Sequence, residues 1–207
     1  MGKVVLKEIY HRVKNNLLVV SSLLEMQSNC FEDPEITKVF RNSQHRLHSM
    51  ALIHEQLYKS KNLKQLNFGN YLDVLTKKLS DSYDTSEQGV KIIMDVEPIS
   101  LSLETAHTCG LIVNELIANS LEHAFTGRKG GHIWLELKQF EGCGMILRIK
   151  DDGTGMPDNI DFFNSDSLGL KLVRILTRQL EGNLDIEKNQ GTCFTIKFGE
   201  LDYCDRI

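Results

Sequence analysis

Between residues 114 and 123 the chain reads Asn-Glu-Leu-Ile-Ala-Asn-Ser-Leu-Glu-His, so Glu115, Asn119 and His123 recur at every fourth position. On a helix that spacing puts the three polar side chains in one stripe of an otherwise apolar surface. A stripe facing inward is unfavourable unless something satisfies it. A hydrated cation with phosphates would do so, because Mg2+ keeps several waters and takes few protein oxygens, which suits one Asn amide oxygen. Asp151-Asp152-Gly153-Thr154-Gly155 follows an apolar strand-like run. A carboxylate at a strand end can accept a hydrogen bond from an exocyclic amine, and glycines one residue apart let the backbone come close to a ligand. Ser167-Leu168-Gly169-Leu170 opens a helical pattern whose free N–H groups suit phosphate, and Gly191-Thr192 opens the last strand. Singly, each has a plainer account: a solvent-facing stripe, a strand-exit turn, an ordinary helix start and a hairpin.

A nucleophile of a different kind stands near the N-terminus. Leu6, Ile9, Tyr10, Val13, Leu17, Val20, Leu23 and Leu24 recur at three and four, which is one apolar helical face. At about 100° per residue, His11 lies roughly 150° from the centre of that seam and therefore in solvent. A neutral imidazole nitrogen is a competent nucleophile near neutral pH. Glu8, one turn earlier, is placed to orient the ring or take its proton, and Lys7, Arg12 and Lys14 to attract phosphates. An exposed helical histidine with no role is the plainer account. His54 falls on an apolar seam and reads as a core histidine.

The elements that must hold these groups differ between the two halves of the 207 residues. Residues 1–88 carry 12 basic and 10 acidic residues and residues 89–207 carry 12 and 18, giving +2 and -6 and a chain total of -4. The first half has helical periodicity. Its first helix breaks at Glu32-Asp33-Pro34, where Asp33 suits an N-cap and Pro34 the first helical position. A second helix carries Ile36, Phe40, Leu47, Met50, His54 and Leu57, and a third carries Phe68, Tyr71, Leu72, Leu75 and Leu79. So short a link makes the first two antiparallel, and a lone hairpin leaves apolar surface uncovered, which predicts a dimeric four-helix bundle. The second half predicts a strand over 90–96, a helix over 103–125 capped by Ser102, and strands over 133–140 and 145–150 joined through Glu141-Gly142-Cys143-Gly144. A helix over 168–180 and a hairpin of 183–187 with 192–198 complete it. The fold class is α+β, with helices on one face of a mostly antiparallel sheet. The polar stretch Asp84–Gly89 marks the boundary, giving domains 1–86 and 87–207.

With 41% hydrophobic and 25% charged residues the composition excludes a disordered or disulfide-dense chain, and no apolar run is long enough to span a membrane. Met1–Glu8 is too polar for a signal peptide. A net charge of -4 removes the bulk electrostatic reason to expect nucleic acid. Five cysteines without a C-x-x-C pair argue for free thiols in a reducing, cytoplasmic setting and against structural zinc.

In order and spacing, the N-E-L-I-A-N box, D-x-G-x-G, L-G-L at a helix start and G-T-x-F-x-I resemble the ATP-binding domain of the GHKL superfamily over roughly residues 88–199. The resemblance implies a Bergerat-type α/β sandwich with ATP under a lid. It implies Asn119 as the Mg2+ ligand, Asp151 reading the adenine amine, Gly153 and Gly155 beside the adenine, Gly169 facing the phosphates, and Leu170 as a further nucleotide contact. Glu115, His123 and Thr192 complete the implied site. Glu8-Ile9-Tyr10-His11-Arg12-Val13-Lys14-Asn15-Asn16-Leu17 is similar to the phosphoacceptor box E-I-H-H-R-V-K-N-N-L of one histidine kinase group, and Ser49–Tyr58 to its second helix. There Tyr10 replaces the first of two histidines, leaving His11 as acceptor with Glu8 and Asn15 as its box partners. Glu122 stands where the nucleotide box usually has Lys, a departure at one phosphate contact. The resemblance thus implies a sensor histidine kinase core that is a homodimer, phosphorylates His11 from Mg-ATP, and hands the phosphoryl group to an aspartate of a response-regulator receiver domain. A GHKL serine kinase of the anti-sigma kind and a nucleotide-gated dimeric scaffold are the two alternatives.

Overall fold

The computed structural model describes residues 2–60, 62–140, 144–157, 162, 165, 167–188 and 190–200. The chain divides into two compact units, Met1–Leu66 and Asn67–Ile207. The sequence reading divides it at 86/87 instead; in the structure the third helix belongs to the second unit.

The first unit is a helical hairpin of α1 (Gly2–Ser28) and α2 (Pro34–Lys59). Asp33 caps α2 as its type and place predict, its carboxylate accepting from the Glu35 N–H at 2.9 Å, with Pro34 in the first turn. Ala51, Leu52, Ile53, His54 and Leu57 of α2 are buried. Among the described residues of α1 only Tyr10, Ser21 and Ser28 are, and the Tyr10 hydroxyl donates to the Leu63 carbonyl at 2.9 Å. The eight-residue seam of α1 is therefore split: Leu6, Val13, Leu17 and Leu24 are half-buried, while Ile9, Val20 and Leu23 are exposed with Val4, Val5, Leu18, Val19 and Met26. His54 is buried as expected; its ring lies 5.7 Å from that of Tyr10, and burial lowers its pKa below the ordinary histidine value.

The second unit begins at the end of β1 (Gln65–Asn67) with α3 (Phe68–Ser82) and a single turn α4 (Thr85–Gln88), closed by Gly89 in the left-handed region. After β2 (Val90–Val96) and β3 (Ser100–Ser102) comes α5 (Leu103–Asn119), capped by the Ser102 hydroxyl on the Thr105 N–H at 3.2 Å. Strands β4 (Gly131–Phe140) and β5 (Gly144–Asp151), helix α6 (Leu168–Gln179) and strands β6 (Asn183–Glu187) and β7 (Cys193–Gly199) follow. The turn predicted at Glu141–Cys143 lies outside the described residues.

The five-stranded sheet runs β2-β4-β5-β7-β6; β2 pairs with β4 in parallel and the other pairs are antiparallel. Alternation decides its faces. Ile133, Leu135, Leu137, Leu147, Ile149 and Ile196 are fully buried, as are Ile112, Leu116 and Ile117 of α5 and Val173 of α6. Each such aliphatic burial contributes about 1.5–3 kcal/mol, which is what fixes the register. On the other face Trp134 is only half-buried, between the His132 ring at 5.4 Å and the Lys150 ammonium at 5.8 Å. The helix expected to run to Phe125 does not do so: α5 stops at Asn119 and a π-helical turn, Ser120–Ala124, takes over.

Candidate active site

A cavity of about 390 Å³ opens where α5, the π-helical turn, the end of β5, the start of α6 and the start of β7 converge in the second unit. Asn119, His123, Asp151, Gly155, Leu170 and Thr192, all picked out from the sequence, line it together. Glu115, Gly153 and Gly169 stand behind it. A side chain at Gly153 would begin 2.3 Å from the Ala124 carbonyl, so glycine lets the strand exit lie against the π-helical turn, an approach held by the Thr154 N–H on that carbonyl at 2.8 Å. Glu115 is buried one turn before Asn119, and a Cβ at Gly169 would lie 2.8 Å from its carboxylate, so Glu115 meets the first turn of α6.

The two adjacent acids take different sides. The Asp152 carboxylate accepts from the His132 N–H at 2.8 Å and lies 3.1 Å from His132 Nδ1. Partial burial alone would raise its pKa, but the His132 hydrogen bonds and the charge of Arg128 hold it below the usual carboxylate range. Asp151 faces the cavity. Its Oδ1 accepts from the Gly153 and Thr192 N–H groups at 3.0 and 3.2 Å, and its Oδ2 from the Ser120 hydroxyl at 3.1 Å. Burial pushes this carboxyl above the ordinary aspartate value; the three hydrogen bonds oppose that and the Asp152 charge adds to it. Gly191, at φ 104°, makes the arrangement fit, since a Cβ there would sit 2.0 Å from the Asp151 carbonyl oxygen.

Asn119 Nδ2 is buried without a hydrogen-bond partner among the described residues. Its amide is therefore not fixed by the protein, and half a turn about its last torsion exchanges nitrogen for oxygen. A group that takes one amide oxygen and keeps water and phosphate as its other ligands fits such a residue. Glu122 does not face the cavity. Its side chain is 7% exposed, and one oxygen accepts from the Tyr83 hydroxyl at 2.7 Å. The carboxylate that replaces the usual lysine is thereby tied by one oxygen to the residue that ends α3, while its other oxygen lies 3.8 Å from Nε2 of His123.

Sequence reasoning missed Ser120, whose only signal is its place beside Asn119, together with Met156 and Phe194 in the apolar wall. In the other unit His11, Glu8 and Asn15 are exposed on α1. Glu8 accepts from Arg12 Nε at 2.8 Å, so its partner is the arginine one turn on and not the expected imidazole. The His11 ring packs 5.8 Å from that of Tyr58.

A helix-backed mixed sheet with a polar-stripe helix, an inward carboxylate at a strand exit and a glycine-led helix around one cavity defines a GHKL-type ATP-binding domain. Comparison with known proteins agrees. Residues 8–83 match the family described as histidine kinase, and residues 105–201 match the histidine kinase-, DNA gyrase B-, and HSP90-like ATPases. A blue-light-activated histidine kinase 2 of Erythrobacter litoralis is 26% identical over 88% of this chain and 53% of its own length. The sensor histidine kinase PdtaS of Mycolicibacterium smegmatis is 31% identical over 86% of this chain and 36% of its own. The histidine kinase domain of an Erythrobacter litoralis blue-light-activated kinase superposes with a TM-score of 0.72 at 26% identity, covering 93% of this chain and 92% of that one. The chain belongs to the histidine kinases with a GHKL-type ATP-binding domain. It spans about half or less of the length of these curated relatives. No helix among the described residues is long and apolar enough to cross a membrane.

Proposed function

We propose that this chain is the catalytic core of a cytoplasmic sensor histidine kinase, in which a nitrogen of His11 attacks the γ-phosphorus of ATP. The N–P bond forms as the bond from that phosphorus to the β–γ bridging oxygen breaks, and ADP leaves with the electron pair. The phosphoryl group then passes to an aspartate of a receiver domain. Residues 1–86 serve dimerisation and phosphotransfer, and residues 87–207 hold the nucleotide.

The observation that carries the reading is the pairing of an exposed imidazole in the 8–17 box with a cavity that gathers Asn119, His123, Asp151 and Thr192. Asp151 accepts from the adenine amine, and Leu170 with Phe194 covers the apolar faces of the base. Asn119 is the protein ligand for Mg2+, which when bound neutralises phosphate charge. His123 lies at the phosphate end, and Glu115 keeps the first turn of α6 in register behind Asn119. Catalysis is positioning and charge neutralisation, since phosphoryl transfer needs little covalent help from a protein. The exposed apolar side of α1 supports a homodimer through the hairpin.

Incubation with γ-labelled ATP followed by acid and base treatment tests it. Label that is acid-labile, base-stable and absent from His11→Ala, whose ATP affinity is unchanged, is the expected result. Acid-stable label would indicate a hydroxyl acceptor, and no label a scaffold; either outcome refutes the reading.

A further inference from the structure

We propose that Tyr58 is a positioning residue for the phosphoacceptor, holding the His11 imidazole and the Lys7 ammonium together on one aromatic ring; this rests on the reading of His11 as the acceptor. All three residues belong to the hairpin unit. Tyr58 lies one residue before the end of α2, half exposed. The His11 ring stands 5.8 Å from its ring at an interplanar angle of 44°, within the range of favourable tilted aromatic pairs. Lys7, one turn before His11, has its Nζ 5.4 Å from the same ring centroid, within cation–π reach.

The neighbouring cations are disposed otherwise. Arg12 pairs with Glu8 at 2.8 Å and Lys14 with Glu55 at 3.6 Å. Of the three cations around His11, Lys7 is the one seated against a neutral partner, so its charge remains available to an arriving γ-phosphate. The imidazole needs the contact for a different reason. A histidine exposed on a helix samples two χ1 wells, the third clashing with the preceding turn, and a roughly two-fold χ2, about four orientations. An in-line attack uses one of them, with the reacting atoms brought to about 3–3.5 Å. A ring on the facing helix selects among these orientations without burying the nucleophile.

The test uses the whole chain, measuring the rate constant of His11 phosphorylation at saturating ATP and the ATP concentration at half-saturation. Releasing four orientations from one predicts that Tyr58→Leu lowers the rate constant by about fourfold with half-saturation unchanged. Tyr58→Phe, which keeps the ring, stays within about twofold of wild type. Because one ring serves both groups, adding Lys7→Gln to Tyr58→Leu slows the reaction less than the product of the single effects. A wild-type rate in Tyr58→Leu, a Tyr58→Phe as slow as Tyr58→Leu, or multiplicative effects would overturn the proposal. Should Tyr58→Leu fail to fold, nuclear Overhauser contacts between the His11 and Tyr58 ring protons of wild type decide: their presence supports the proposal and their absence overturns it. Label retained in His11→Ala would remove the acceptor reading itself, whereas label lost there with Tyr58→Leu unaffected removes only the role of Tyr58.

Discussion

The hydroxyl of Ser120, first residue of the π-helical turn, donates to Asp151 Oδ2 across 3.1 Å, tying the end of the nucleotide-box helix to the carboxylate at the end of β5. Two backbone N–H groups occupy Oδ1. Oδ2, with one protein donor, is the oxygen that the proposed adenine contact would use.

Base recognition is the first consequence to test. Guanine presents a carbonyl where adenine presents its amine, so two acceptors would face each other at Asp151. Calorimetric titration of wild type with ATP, ADP and GTP gives similar ATP and ADP affinities and much weaker GTP binding. Asp151→Asn weakens ATP and ADP alike. Equal ATP and GTP affinities in wild type would take base reading away from Asp151.

The raised Asp151 pKa sets a pH dependence of stability. A carboxyl whose folded pKa lies above its unfolded one binds protons more tightly when folded. Its stabilising contribution is complete below the unfolded value and is lost as pH rises through the folded one. Wild type therefore loses stability relative to Asp151→Asn as pH rises from about 4 through the raised pKa, with the difference constant above it. Thermal melts of both proteins without nucleotide across that interval check the sign; a gap that moves the other way contradicts it.

Metal dependence isolates Asn119. Losing one ligand to a charged centre costs on the order of 1.5–3 kcal/mol. Asn119→Ala should lose that much ATP affinity in the presence of Mg2+ and little in its absence, while binding of adenosine stays at the wild-type level. Unaltered Mg2+ dependence in this variant would remove the assignment.

Assembly tests the hairpin. Val20 is 45% and Leu23 55% exposed on α1. Burying the remaining half of each against a second copy contributes roughly 1 kcal/mol. Val20→Asp with Leu23→Asp should give monomers in sedimentation at micromolar concentration, with nucleotide affinity intact. A wild-type chain that already sediments as a monomer there would refute the dimer.

Much of this was legible because the signals were periodic or chemically exclusive. The β4 alternation around Ile133, Leu135 and Leu137 set the sheet face, and Asp33-Pro34 set the start of α2. Other features depended on contacts distant in sequence. Nothing between Ser120 and Ala124 breaks a helix, for there is no glycine or proline there, so the π-helical turn follows from packing. Glu122 stood out as a departure, but its direction is set by Tyr83, 39 residues away. Ser120 carries no pattern of its own and acquires a role only once β5 brings Asp151 to it. The apolar positions of α1 read as one seam because a helical wheel cannot assign them between an intramolecular partner and an intermolecular one; Tyr10 and Val20 go different ways.

The bond pattern around Gly191 has a mechanical consequence. Asp151 donates its backbone N–H to the Thr192 carbonyl at 2.9 Å, and the Thr192 N–H returns a bond to the Asp151 carboxylate at 3.2 Å. The carboxylate proposed to read the base is thus fastened to a rung one pair beyond the last β5–β7 register pair, Lys150 with Cys193. Fraying of that rung swings the carboxylate out of register, and a base seated on the carboxylate clamps the rung shut. The sheet end and the nucleotide then open and close as one hinge, so amide exchange at Thr192 reports occupancy of a site that its own side chain only borders.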